Sequence, residues 1–187
     1  MSFSRLRITG PDEGPGVLGA PLHVHDGDFH IGVLDPVPVG RDGSEVCIQH
    51  FKHTDTAACD RVKIGSLVLM ELVSFIAEQF TTVTAITVVL TREATGYGDG
   101  IRLARERSAL LQSIGANHIV ITPKPLAERA GHFVVTGVWE YNQANLAALA
   151  QAVERERAAY VERRDALPFQ NARQPSPRAW LDRLLGR

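Results

Sequence analysis

The sequence lacks several features that would mark a secreted, membrane-spanning or nucleic-acid-binding protein. It has two cysteines, Cys47 and Cys59, in no CxxC pair, so no disulfide framework is predicted and we expect a reducing, cytoplasmic setting. Its 20 basic and 21 acidic residues leave a net charge of −1, which gives no electrostatic basis for binding nucleic acid. The N-terminus shows no apolar core of a signal peptide, and polar residues interrupt the longest apolar region, 64–80, too often for a membrane span.

What is present is the composition of an ordinary globular protein. Of 187 residues, 44% are hydrophobic and 22% are charged, which is sufficient for one sizeable core. We expect a single domain over 1–166, followed from 167 by a proline-containing linker. The linker leads to a short amphipathic segment, 178–187, with an apolar face made of Trp180, Leu181, Leu184 and Leu185.

The first third of the chain has the alternating pattern of antiparallel strands. A short strand is predicted over 5–9, and 22–34 is predicted to form a hairpin around Asp26-Gly27-Asp28. The stretch 45–53 alternates again and predicts another strand. We therefore expect antiparallel β-structure before residue 54.

From residue 64 onward, helices are predicted to alternate with strands. The stretch 64–80 predicts a mostly buried helix, whose polar residues Glu71, Ser74 and Glu78 form one narrow stripe. The β-branched stretch 81–91 predicts a buried central strand.

The last part of the domain continues the same alternation. A glycine-rich loop over 92–100 should lead into an amphipathic helix over 101–114, and 118–141 should form a hairpin. Asn145 is expected to cap a final helix that ends near Asp165. Its charged runs are interpreted as a solvated face, and a helix that protrudes or packs in a homodimer is the alternative. The predicted fold class is α/β, with a mixed, mainly antiparallel sheet flanked by helices.

The stretch Asp60–Leu69 combines a basic turn, one glycine and the start of the helix over 64–80. Backbone N–H groups and the helix dipole favour an anion at such a helix start. We therefore predict that this stretch is the functional site.

The order strand, basic loop, helix, strand, helix and hairpin over 45–141 resembles the GCN5-related N-acetyltransferase (GNAT) superfamily. In particular, Lys63-Ile64-Gly65-Ser66-Leu67-Val68-Leu69 is similar to the family's Gly-Ile-Gly-Ser-x-Leu-Leu, in which the loop binds the pyrophosphate of acetyl-coenzyme A. Lys63 replaces the first glycine, and Leu111 occupies the place of the tyrosine usually proposed as general acid. The resemblance implies a GNAT-like fold that binds acetyl- or another acyl-coenzyme A and acylates an amine of a small molecule or protein.

The resemblance assigns cofactor binding to one run of residues, namely Arg61, Lys63, Ile64, Gly65, Ser66 and Leu67. For catalysis, His50 and His53 are the candidate general bases, because neutral imidazole accepts a proton near physiological pH. Tyr97, in the glycine-rich loop, is the candidate substitute for the missing acid.

Two alternatives remain open at this point. His23 and His25 lie two apart on one predicted strand, as paired metal ligands often do, although no further ligand motif follows. The chain can also be a non-catalytic module of the same fold that docks a partner protein through 178–187. Cys47 and Cys59 have no base beside them and are interpreted as structural.

Overall fold

The structure is a computed structural model that describes residues 5–39, 43–49, 51–92, 96–124 and 131–166. Within these ranges the strands are β1 (Arg7–Thr9), β2 (Leu22–Asp26), β3 (Phe29–Leu34), β4 (Val37–Val39), β5 (Glu45–Ile48), β6 (Phe51–His53), β7 (Ala85–Arg92), β8 (Asn117–Pro123) and β9 (Phe133–Glu140). The helices are α1 (Thr56–Val62), α2 (Gly65–Gln79), α3 (Tyr97–Ser113) and α4 (Gln143–Ala166), and Pro11–Glu13 form a short 3₁₀ turn.

The described strands form two sheets. One sheet has the order β1-β2-β3-β6 and is antiparallel throughout. The other has the order β4-β5-β7-β9-β8, in which β5 and β7 are parallel and the remaining pairs antiparallel. The predicted fold class, a mixed and mainly antiparallel α/β arrangement flanked by helices, is confirmed.

One long hairpin belongs to both sheets. Its first arm contains β3 and β4 and its second arm contains β5 and β6. The pairing runs from Gly32 opposite His53 in one sheet to Val39 opposite Glu45 in the other. Gly32 permits this close approach, because a Cβ there would collide with the carbonyl oxygen of Lys52. The predicted single strand over 45–53 is therefore two strands, one in each sheet.

The core is one cluster to which both sheets and the helices α2, α3 and α4 contribute. Strand β7 is central in its sheet, as predicted, but it is not buried along its whole length. It buries Ile86 and Val88 completely, whereas Thr87 and Val89 are half-buried. Trp139 on β9 is 1% exposed, and its Nε1 donates a hydrogen bond of 2.9 Å to the carbonyl of Ile114 after α3. This bond joins the sheet to the end of α3, where Gly115 has φ of 84°, a conformation that favours glycine after a helix.

The predicted polar stripe on α2 contacts two arginines, and its residue Glu71 is shielded from water. Glu71 is fully buried and accepts hydrogen bonds from Arg5 Nε at 2.9 Å and from Arg157 Nη2 on α4 at 2.6 Å. Glu78 and Ser74 bind the same Arg5. This ionic cluster holds α2 between the N-terminal segment and α4.

Two predicted boundaries are wrong for identifiable reasons. Helix α3 begins at Tyr97, inside the predicted glycine-rich loop, because Gly100 is used for close packing: a Cβ there would collide with the carbonyl of Gly131. Helix α4 begins at Gln143, and its cap is Asn142, whose Oδ1 accepts the N–H of Asn145 at 2.9 Å.

The predicted linker and the segment 178–187 lie outside the described residues. Among the residues that are described, no helix is both long and apolar enough to cross a membrane.

Candidate functional site

The central opening of the molecule lies between β6 and β7. Strands β5 and β7 pair in parallel up to Ile48, which lies opposite Val88. Beyond that point the chain enters the other sheet, where β6 pairs with β3, whereas β7 continues to Arg92 beside β9. The two strands diverge, and within the described chain no strand pairs with the edge of β7 that faces β6 over 89–92.

A cavity of about 760 Å³ occupies this divergence. Side chains from β6, β7, α1, α2 and α3 line it. The apolar part of the lining includes Ile48, Phe51, Leu72, Val89 and Leu103. The titratable part consists of His53, Asp60, Lys63, Arg102, Glu106 and Arg107. An apolar wall beside three cationic side chains suits a ligand with a slender, weakly polar arm and an anionic end.

The segment before α2 is more helical than the sequence predicts. Thr56–Val62 form α1, so the predicted basic loop is reduced to a turn at Lys63 and Ile64. Two alanines in the first turn of α1 favour the helix, and no residue before Lys63 interrupts it. Lys63 has φ of 50°, in the left-handed region, and this reverses the chain before α2 begins at Gly65.

Three of the predicted cofactor-binding residues, Lys63, Gly65 and Ser66, line the cavity. The first N–H groups of a helix have no acceptor within it, so those of Gly65, Ser66 and Leu67 are directed out of the N-terminus of α2. The N-cap residue Ile64 provides no side-chain cap for them. A Cβ on Gly65 would meet no atom within 4 Å, so the space in front of this helix start is open.

The other predicted cofactor-binding residues have different positions. Ile64 is 2% exposed and Leu67 is fully buried, and both side chains pack in the core, where they anchor the turn. The side chain of Arg61 lies outside the described part of the chain, so its role stays a prediction.

The two candidate bases are not equally placed. His53, at the end of β6, lines the cavity, and its ring lies edge-on against Phe51 at a centroid distance of 4.9 Å. His50 lies outside the described residues, and its role also stays a prediction. His53 is the imidazole that the described structure places at the cavity.

Tyr97 stands at the first turn of α3 and is half-exposed. Its ring packs edge-on against Phe133 with centroids 5.6 Å apart. It is not among the described residues that line the cavity. The structure therefore places His53 at the cavity and does not place Tyr97 beside it.

His23 and His25 are part of a cluster that includes His30. His23 Nδ1 lies 3.3 Å from His30 Nε2, and the rings of His25 and His30 stack with centroids 4.8 Å apart. Burial, the charge of Arg7 and the neighbouring imidazoles lower the pKa of His25. In the described ranges no three His, Cys, Asp or Glu side chains are arranged to hold a metal ion. The geometry gives the metal alternative no support.

Sequence reasoning missed that α3 forms one wall of the cavity. Arg102 and Glu106 are 60% and 57% exposed, form an ion pair of 2.8 Å with each other and line the open side of the cavity. The arginine at position 107 lines it as well. In the sequence, this wall is indicated only by the spacing of Leu103 and Leu110, which forms an apolar seam beside the charged residues of α3.

Cys59 on α1 also lines the cavity. Burial, together with the charges of Asp55 and Asp60, raises the pKa of its thiol. A raised pKa disfavours the nucleophilic thiolate. The predicted structural role of Cys59 is consistent with this environment.

Comparison with known proteins gives a limited result. No protein-family model matches the chain, and no curated protein matches it. Among solved structures, the chain is similar to an aminoglycoside acetyltransferase in complex with coenzyme A and kanamycin, with a TM-score of 0.40, 15% sequence identity and coverage of 74% of this chain and 70% of that chain. A likeness at this level does not identify the function of the chain.

Proposed function

We propose that the chain is an acyl-coenzyme A-dependent N-acyltransferase that uses acetyl-coenzyme A or another acyl-coenzyme A. The acceptor is an amine of a small molecule or a protein. The observation that carries the proposal is the cavity of about 760 Å³ between diverging strands, which joins an open strand edge to the N-terminus of α2. The resemblance of 45–141 to the GNAT superfamily points to the same cofactor.

The open edge of β7 suits the arm of coenzyme A. This arm is extended and carries amide groups, so it can hydrogen-bond to the strand edge over 89–92 as an added strand does. Ile48, Phe51 and Leu72 supply apolar surface for its methylene and methyl groups. The acyl thioester at the end of the arm would then lie inside the cavity, where water is partly excluded.

The N-terminus of α2 suits the phosphates of the cofactor. The N–H groups of Gly65, Ser66 and Leu67 and the positive end of the helix dipole favour an anion at this place. Lys63 lines the same opening and adds a positive charge. We also assign Arg61 to the phosphates on the basis of the resemblance, independently of the described side chains.

The chemistry requires one proton acceptor near the thioester. We assign this role to His53, with His50 as the alternative. The neutral imidazole takes a proton from the acceptor nitrogen as that nitrogen attacks the carbonyl carbon. A C–N bond forms, the C–S bond breaks, and the imidazolium returns the proton to the departing thiolate. Tyr97 remains a proposed alternative donor for that last step.

Isothermal calorimetry with coenzyme A tests the binding site. Gly65→Glu places a carboxylate in the open space before α2 and should weaken binding by about 100-fold or more, equivalent to about 3 kcal/mol. Gly98→Glu is the matched control, because Gly98 also lies in the first turn of a helix, is exposed and has no atom within 4 Å of a built Cβ. No binding by the wild type at high micromolar ligand, or equal binding by both variants, contradicts the proposal.

Turnover tests the catalytic assignment. With a panel of amines and detection of the released thiol, His53→Gln should lower kcat by about 100-fold while coenzyme A still binds. His118→Gln, on the exposed part of β8, is the control and should keep full activity. Binding of coenzyme A without turnover of any amine would instead favour the non-catalytic module.

A further inference from the structure

We propose that Arg163 of α4 is a positioning residue that fixes the turn at Lys63 for phosphate binding. This inference rests on the proposed function. Arg163 Nε donates a hydrogen bond of 3.0 Å to the carbonyl of Val62, and its Nη2 lies 3.4 Å from the carbonyl of Lys63. Arg163 is 100 residues from Lys63 in sequence, so this contact depends on the folded domain.

The contact acts on the part of the turn that most needs support. Lys63 has φ of 50°, which is unfavourable for a residue that carries a side chain. The carbonyls of Val62 and Lys63 belong to the end of α1, where a helix leaves carbonyl groups without partners and favours a cation. The guanidinium of Arg163 donates hydrogen bonds to these carbonyls and also places a positive charge beside them.

The guanidinium is itself held in place from α4. Its Nη2 forms an ion pair of 2.6 Å with Glu156, and the two side chains are 31% and 24% exposed, respectively. Because Glu156 balances the charge, Arg163 acts on the cofactor through the backbone of the turn and not as a phosphate ligand. The geometry of this turn then determines where the N–H groups of Gly65 and Ser66 lie.

The position of the turn also depends on the buried side chain of Ile64, which is 2% exposed. Ile64 fixes the turn from the core side and Arg163 fixes it from the α4 side. Without Arg163 the carbonyls of Val62 and Lys63 would turn toward water, and the N–H groups at the start of α2 would no longer be held in one position relative to Lys63. We therefore expect Arg163 to influence the binding of the cofactor's phosphates and not the binding of its arm.

The experiment compares a ligand that has the phosphates with one that lacks them. The first is coenzyme A, and the second is acetyl-pantetheine, which has neither the nucleotide nor the pyrophosphate. Arg163→Ala should raise the Kd for coenzyme A by about tenfold and leave that for acetyl-pantetheine unchanged. Arg163→Lys should give an intermediate value, because one ammonium cannot reproduce the guanidinium fork. Arg164→Ala is the control, because Arg164 lies near Asp26 and Asp165 instead of the turn.

A second measurement does not depend on the cofactor. Amide hydrogen exchange over 62–69 should become faster in Arg163→Ala and stay unchanged in Arg164→Ala. If Arg163→Ala does not fold, Glu156→Gln loosens the same guanidinium and should produce the same change in smaller degree.

The outcomes separate the two proposals. Failure of the wild type to bind coenzyme A overturns the proposed function, while faster exchange over 62–69 would still support Arg163 as the residue that fixes the turn. Unchanged exchange in Arg163→Ala, or an equal loss of affinity for both ligands, overturns the inference about Arg163.

Discussion

Replacing Glu71 by Gln should destabilise the protein strongly. The carboxylate of Glu71 is fully buried and binds Arg5 at 2.9 Å and Arg157 at 2.6 Å. Glutamine has nearly the same shape, so the substitution removes the charge while leaving the packing of α2 intact. Two guanidinium groups then lose an anionic partner, and one of them, that of Arg157, is largely buried.

The expected magnitude follows from the exposure of the two arginines. Removing one partner of a buried ion pair typically costs about 3–5 kcal/mol. The side chain of Arg157 is only 20% exposed, so water replaces the carboxylate poorly, and its remaining partner, Glu154, is 72% exposed. Arg5 is 42% exposed and keeps Glu78 as a partner, which reduces its share of the cost. We therefore expect a loss near the lower limit, about 3 kcal/mol, or about 6–12 °C in Tm for a chain of this size.

Urea unfolding followed by circular dichroism measures this loss, provided that the slope of the transition is unchanged. Glu154→Gln is the matched control, because Glu154 binds the same Arg157 at 2.6 Å but is 72% exposed. It should cost less than about 1 kcal/mol. A cost for Glu71→Gln as small as that for Glu154→Gln would show that the ionic cluster on α2 is hydrated, and it would refute the reasoning.

Three further variants test other parts of the structure. Gly32→Ala should cost about 3 kcal/mol, because its Cβ collides with the backbone of β6, and a loss below about 1 kcal/mol in urea unfolding would contradict the close pairing. The hydrogen bond from Arg5 lowers the pKa of Glu78 below its ordinary value of 4.5. The ion pair therefore contributes its full stability above pH 4.5, and this contribution is lost as the pH falls through the lowered pKa. Glu78→Gln should therefore flatten stability against pH in this acidic window, and an unchanged profile would exclude the pairing. Trp139→Phe leaves a buried carbonyl without its donor and should cost about 2 kcal/mol by urea unfolding, and a neutral result would argue against the bond.

The element order could be predicted from the sequence because local periodicity determines it. The β-branched stretch that contains β7 and the apolar stretch that contains α2 give clear signals, and both are confirmed. Periodicity does not identify partners, however. The stretch 45–53 alternates continuously, yet its halves pair with β4 and β3 in different sheets. The divergence that creates the cavity was therefore beyond sequence reasoning.

Long-range contacts explain the other differences between the predicted and the observed structure. Glu71 fits a polar stripe on its own helix, but its partners Arg5 and Arg157 lie 66 and 86 residues away. Gly100 suggested a loop because glycine often supplies backbone freedom, whereas here it permits contact with Gly131. The predicted residues Lys63, Gly65 and Ser66 line the cavity, while the wall formed by α3 depended on tertiary packing.

The hairpin that belongs to both sheets changes its pairing at the opening. Its last pair in one sheet is Leu34–Phe51 and its first pair in the other is Val37–Cys47, and the two registers differ by one residue, so the ladder is interrupted between them. The two sheets are therefore joined by short backbone segments and not by one continuous ladder. We expect the angle between β6 and β7, and with it the thickness of the chain that the gap accepts, to depend on this interruption.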